Sequence, residues 1–134
     1  MRALRAALLA PGVLLLSSCS PASLIDLYND SGDTIVITAL DHSVSVPPHS
    51  STQFDFVLAR DQHWESVTVS RRGKTWRYPQ KLFGRIPWES WQRGPFESRR
   101  AFVSVDSHGR IYLRSPSGAP ISQPAGFPLS PGKT

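Results

Sequence analysis

The chain has 134 residues, 15 Lys+Arg, 10 Asp+Glu and one cysteine, with a formal net charge of +5. That length holds one domain, and a single cysteine excludes an internal disulfide or a zinc site built on several thiolates. No apolar run is long enough to cross a bilayer as a helix. In chain order the first element is a leader, in which Arg2 and Arg5 precede an apolar stretch from Ala6 to Leu16. Such a stretch spans roughly 16 Å as a helix, about half of a ~30 Å hydrocarbon core. A basic start followed by a short apolar run reads as an export signal rather than a transmembrane helix. The stretch ends in Leu16-Ser17-Ser18-Cys19.

Those four residues resemble the lipobox of bacterial lipoprotein precursors: Leu, two small residues, then Cys. The resemblance covers the leader alone. It implies diacylglyceryl transfer to the Cys19 thiol, cleavage before Cys19, and acylation of the new amino terminus. Residues 1–18 are then the signal peptide, and 19–22 the lipidated N-terminus and a short tether. Ser20 rather than Asp follows the cysteine, so the resemblance further implies the outer membrane, on its periplasmic side, over the inner membrane. Three acyl chains anchor a protein stably. Four extended residues reach at most about 14 Å, which holds the domain close to the lipid headgroups. Beyond the leader, the likeness to small Gram-negative lipoproteins is compositional and carries no motif.

The next elements read as strands. Ile35, Ile37 and Ala39 alternate with Val36 and Thr38; Phe54 alternates with Gln53 and Asp55; Val67 and Val69 alternate with Ser66, Thr68 and Ser70. Period-2 patterns rich in β-branched and aromatic residues predict strands at 23–29, 34–40, 43–46, 52–58, 64–70, 74–78, 100–106 and 109–114. Turn signals separate them, among them Asn29-Asp30-Ser31-Gly32, Arg71-Arg72-Gly73 and Asp106-Ser107-His108-Gly109. The expected fold is all-β, a small antiparallel β-sandwich or half-open barrel over residues 23–114. Residues 79–99 break the alternation with Leu82, Phe83, Ile86, Trp88 and Trp91 among three prolines, and Pro87 can open a short helix. They read as a non-strand excursion that caps one open end, with Trp88 and Trp91 as plugs. Residues 115–134 hold five Pro, three Gly and four Ser, and read as an extended tail that Ile121, Phe127 and Leu129 tack onto the domain.

Charge is unevenly spread. Residues 19–65 have a net charge of −6 and residues 71–100 a net charge of +7. Either the two segments pair within the fold, or the basic one faces a polyanion. In the second case Arg71, Arg72, Lys74, Trp76, Arg77, Trp88, Trp91, Arg100, Arg110 and Tyr112 form a basic-aromatic binding surface. An exported domain meets little nucleic acid, so anionic lipid, lipopolysaccharide phosphates or an envelope protein are the expected partners. His42, His49, His63 and His108 share no short spacing, and Gly-x-Ser-x-Gly is absent. No catalytic residues, metal or cofactor are therefore expected. The residues point to a non-catalytic, lipid-anchored binding or scaffolding module. The alternative is an inhibitor or accessory protein of a cell-wall enzyme, with 79–99 inserting into its cleft.

Overall fold

The structure, a computed structural model, describes residues 23–39, 42–55, 66–94 and 98–132. Cys19, expected to carry the lipid, the expected tether at 19–22, His63, and the predicted strand ends at 40, 56–58 and 64–65 lie outside them. Two sheets pack face to face. The first holds β1 (Ser23–Asp30), β4 (Ser51–Asp55), β7 (Gln92–Arg93), β8 (Arg99–Asp106) and β9 (Ile111–Leu113). The second holds β2 (Ile35–Ala39), β3 (His42–Val46), β5 (Ser66–Arg71) and β6 (Lys74–Pro79), in the order β3-β2-β5-β6. The architecture is a small β-sandwich, as the alternation predicts. All eight expected strands form, and β7 is added from within the excursion.

One pairing differs from an all-antiparallel sandwich. β1 and β8 run parallel over eight residue pairs, from Ser23↔Arg99 to Asp30↔Asp106. Parallel neighbours need a long crossover, and here the whole of the second sheet lies between them in sequence. Both are central strands, and their alternate residues Ile25, Leu27, Ala101, Val103 and Val105 are buried against the second sheet. That sheet answers with Ile35, Ile37, Val67, Val69, Trp76 and Tyr78.

Asn29 ties the turns together at one end. It is fully buried, and its Nδ2 donates to the carbonyls of Asp33 (2.7 Å), Val46 (3.0 Å) and Pro47 (3.1 Å). Its Oδ1 accepts from the N–H and hydroxyl of Ser31. The sequence read this stretch as a turn, and the side chain that closes it is an Asx turn. At the same end Arg72 (φ 48°) and Gly73 (φ 75°) join β5 to β6. Two residues at positive φ make the tight hairpin whose twist matches its strands.

The other end is closed by the excursion. A one-turn helix α1 (Gln80–Phe83) inserts Leu82 and Phe83, and Ile86 follows; all three are buried. Phe83 meets Phe54 edge-on at 5.8 Å and Tyr78 at 6.4 Å. The plugs are thus Leu82, Phe83 and Ile86; of the two expected tryptophans only Trp91 packs against the core, and Trp88 does not. Trp88 opens a single 3-10 turn after Pro87 and is 65% exposed, while Trp91 is partly buried against the core.

The tail is ordered as a clasp. Ile111 and Leu129 exchange both backbone hydrogen bonds, at 2.9 and 2.8 Å. Gln123 imitates a strand residue: its Oε1 accepts from Leu113 N–H and its Nε2 donates to the Leu113 carbonyl, both at 2.9 Å. Further on, Gly132 N–H donates to the Arg77 carbonyl of β6. The tail therefore edges β9 of one sheet and then β6 of the other. Of the three apolar residues expected to tack it down, Leu129 is buried and Phe127 packs against the core, but Ile121 is 39% exposed.

Candidate functional site

The ten residues of the expected basic-aromatic surface do not form one surface. The hairpin of β5 and β6 belongs to the second sheet, and β8 and β9 belong to the first. Alternation told which residues share a face, but not which face is inside. Trp76 is 5% exposed and belongs to the core, so it is withdrawn from the surface. Its ring lies where a Cβ on Gly109 would sit, 2.5 Å away. Arg71 is withdrawn as well: it pairs with Asp33 and donates to the Ser107 carbonyl, and its guanidinium is mostly covered. Arg72, although 74% exposed, pairs with the other Asp33 oxygen at 2.9 Å. At these positions the acidic and basic segments neutralise each other within the fold. Lys74 sits 5.9 Å from the Trp76 ring at the same end, and Arg77 is exposed on the second sheet.

Arg110 and Tyr112 gather around Asp106. The Asp106 carboxylate accepts from the N–H of His108 and Arg110 (2.9 Å each), from Arg110 Nε (3.0 Å) and from the Tyr112 hydroxyl (3.3 Å). Burial pushes this carboxyl up, but the two N–H groups and the Arg110 guanidinium outweigh it and hold it below the usual carboxylate range. This cluster shapes the β8–β9 turn. His42, His49 and His108 are exposed. Among the described residues no group of three His, Cys, Asp or Glu is placed to hold a metal.

The remaining three residues, Trp88, Trp91 and Arg100, lie at the end of the sandwich where β1 begins. Ser23 pairs with Arg99, and Arg99 also pairs with Arg93 of β7. The Arg99 guanidinium stacks on the Trp88 ring, 3.4 Å from its centre. The first described residue of the domain thus stands one strand away from an exposed Trp-Arg stack. Lys81, Arg85 and Arg93 of the excursion are exposed at the same end, with Arg100 half-buried. Against these cations the described part of the excursion carries one acid, Glu89. Arg99 was not among the residues expected from the sequence, because its pairing with β1 has no local signal.

The outward face of the first sheet carries a second feature. Tyr28 and Tyr112 both register with Ser104 on the strand between them. At about 4.8 Å per strand, the two tyrosines flank Ser104 about 10 Å apart. One row away, Asp26 registers with Phe102, whose carbonyl accepts from Arg114 N–H. Two shallow cavities of about 430 and 450 Å³ open on this face. Both are lined by Arg114. Comparison with the models of known protein families gives no match, and comparison with curated proteins gives none.

Proposed function

We propose that this chain is a lipid-anchored, non-catalytic binding module of the cell envelope, tethered at the periplasmic face of the outer membrane and docked end-on through Trp88, Arg99 and their neighbouring cations. The lipobox-like Leu16-Ser17-Ser18-Cys19 motivates the anchor. The observation that carries the docking is the register Ser23↔Arg99, with Arg99 stacked on an exposed Trp88. A tether of at most about 14 Å keeps that end at the headgroups. Tryptophan favours the membrane–water interface, and each Lys or Arg near an anionic leaflet adds about 1 kcal/mol.

Metabolic labelling with a palmitate analogue tests the anchor. The wild-type chain incorporates label and fractionates with membranes, whereas Cys19→Ser incorporates none; equal labelling of the two rejects it. The exposure of Trp88 on a turn bracketed by Pro87 also favours a second reading, insertion into the cleft of a cell-wall enzyme. A photocrosslinker at position 88 separates the two: lipid adducts support docking, and one dominant protein adduct supports the enzyme partner.

A further inference from the structure

We infer that the outward face of the first sheet binds an acidic saccharide, with Arg114 receiving its carboxylate. This site lies on the side of the sandwich and does not depend on the anchoring reading.

Arg114 follows β9 on this face. Its guanidinium lies over the Tyr28 ring, 4.5 Å from the centre. Among the described residues it has no carboxylate partner, and its hydrogen bond to Phe102 comes from the backbone. A planar cation held against a ring, with its fork of donors unused, is suited to a carboxylate received through two parallel bonds. Other arginines of this chain are spent: Arg71 and Arg72 on Asp33, and Arg110 on Asp106. Arg114 is left with an aromatic support and solvent.

The surroundings define the rest of the ligand. Arg114 stands between two cavities, each within the size range of small-ligand sites. One is walled by the turn that follows β9, fixed by Ser115 N–H to the Ala119 carbonyl (3.2 Å) and Gly118 N–H to the Ser115 carbonyl (2.9 Å). The other is bounded by Tyr112, Ile121 and Gln123 and carries the carboxylates of Asp30 and Asp106, the latter paired with Arg110, so it takes a neutral, hydroxyl-bearing unit. Two compartments sharing one cation suit a ligand of at least two units with its acid at the junction.

The floor is a sheet face whose backbone groups are already paired between strands. It can offer only side chains, which disfavours an added peptide strand, since that mode requires a free edge. What it offers are aromatic surfaces on Phe102 and Tyr112 and the hydroxyl of Ser51, while Tyr28 supports Arg114. Asp26, held only by Gln53 at 3.4 Å, is an acceptor. Aromatic faces pack on the apolar side of a sugar ring, and the polar groups take its hydroxyls. Asp26 lies two strands from Arg114 in the same row, so it repels the ligand's carboxylate towards Arg114 and accepts hydroxyls itself.

The test is titration calorimetry on the full-length protein with an acidic oligomer (a linear galactose oligomer in which one unit is galacturonic acid), a neutral galactose oligomer of the same length, acetate, and inorganic phosphate. The acidic oligomer should bind saturably, and about tenfold or more tighter than the neutral one, the worth of a charge-assisted contact. Acetate and phosphate alone should bind weakly, because they lack the rings. Arg114→Gln should weaken the acidic oligomer about tenfold or more, and Arg114→Lys by less. Arg77→Gln, an exposed charge on the opposite sheet, should leave it unchanged. Absence of saturable binding, equal affinity for the two oligomers, equal affinity for phosphate, or an equal loss in Arg77→Gln would overturn the assignment. A melting curve for each variant keeps a folding defect distinct from lost binding, and Tyr28→Leu, which removes the support under Arg114, gives a second loss of affinity on an intact fold.

Discussion

At the residue scale, two glycines separate backbone freedom from packing. Gly73 and Gly109 have the same φ of 75°. A Cβ at Gly73 meets nothing within 4 Å, so Gly73→Ala incurs the left-handed backbone cost alone, about 1 kcal/mol. At Gly109 a Cβ falls 2.5 Å from the buried Trp76 ring. Gly109→Ala therefore adds overpacking and should cost about 3 kcal/mol in denaturant unfolding. Similar losses in the two variants would contradict the packing of Trp76 on Gly109. Tyr78 gives a pH signature at the same spot. Its hydroxyl donates to the Gly109 carbonyl at 2.6 Å, and burial, with Asp106 adding to it, pushes its pKa far above the ordinary tyrosine value. An unfolded tyrosine loses its proton near pH 10. Above that pH the unfolded state binds fewer protons than the folded state, so stability falls as pH rises. Below about pH 10 the group makes no contribution to pH dependence. Tyr78→Phe should be less stable at neutral pH by about 1 kcal/mol. It should also lose part of the alkaline slope, which unfolding at graded alkaline pH would reveal.

At the element scale, the excursion and the tail are parts of the fold with separate duties. Leu82, Phe83 and Ile86 close one end, while the next turn sends Trp88 outward. A single segment thus supplies both the plug and the exposed ring. The tail reaches β9 through Leu129 and Gln123, and β6 through Gly132. Leu129→Ala should destabilise by about 3 kcal/mol, as for other buried leucines. Ile121→Ala, at an exposed site, should stay within about 0.5 kcal/mol. Thermal melts of the two variants check this, and comparable melting points would mean that the tail is not a clasp.

At the scale of the whole molecule, the strands were legible because alternation at 23–29, 34–40 or 100–106 reports one buried face. The pairing of those strands was not legible, because period 2 carries no information about which sheet a strand joins. Trp76 and Tyr78 illustrate this: two apart on one strand, they share a face, but only the packing of the second sheet onto Gly109 shows that face to be the core. Charge segregation was evident as well, yet Asp33 consumes Arg71 and Arg72 across 38 and 39 positions of chain, a contact without local signature. Asp26 and Tyr28 alternate with Ile25 and Leu27 on β1 and were within reach of the sequence. Arg114 lies two positions after Tyr112 and so shares its face, but the Tyr28 ring beneath it comes from a strand far away in the chain. Gln123 acting as a strand residue had no sequence signal, since its two bonds depend on where the tail crosses β9.

The proposed orientation rests on Ser23, Arg99 and Trp88 standing together at one end of the sandwich, with the face bearing Arg114 on its side. Tryptophan quenching tests that orientation most directly. The processed, lipidated protein is reconstituted in vesicles of phosphatidylcholine and phosphatidylglycerol whose acyl chains carry bromine near the headgroup. With end-on docking the wild-type protein is quenched, and Trp88→Phe abolishes most of the quenching while Trp91→Phe retains it. Quenching that is absent, or that survives unchanged in Trp88→Phe, would contradict end-on docking.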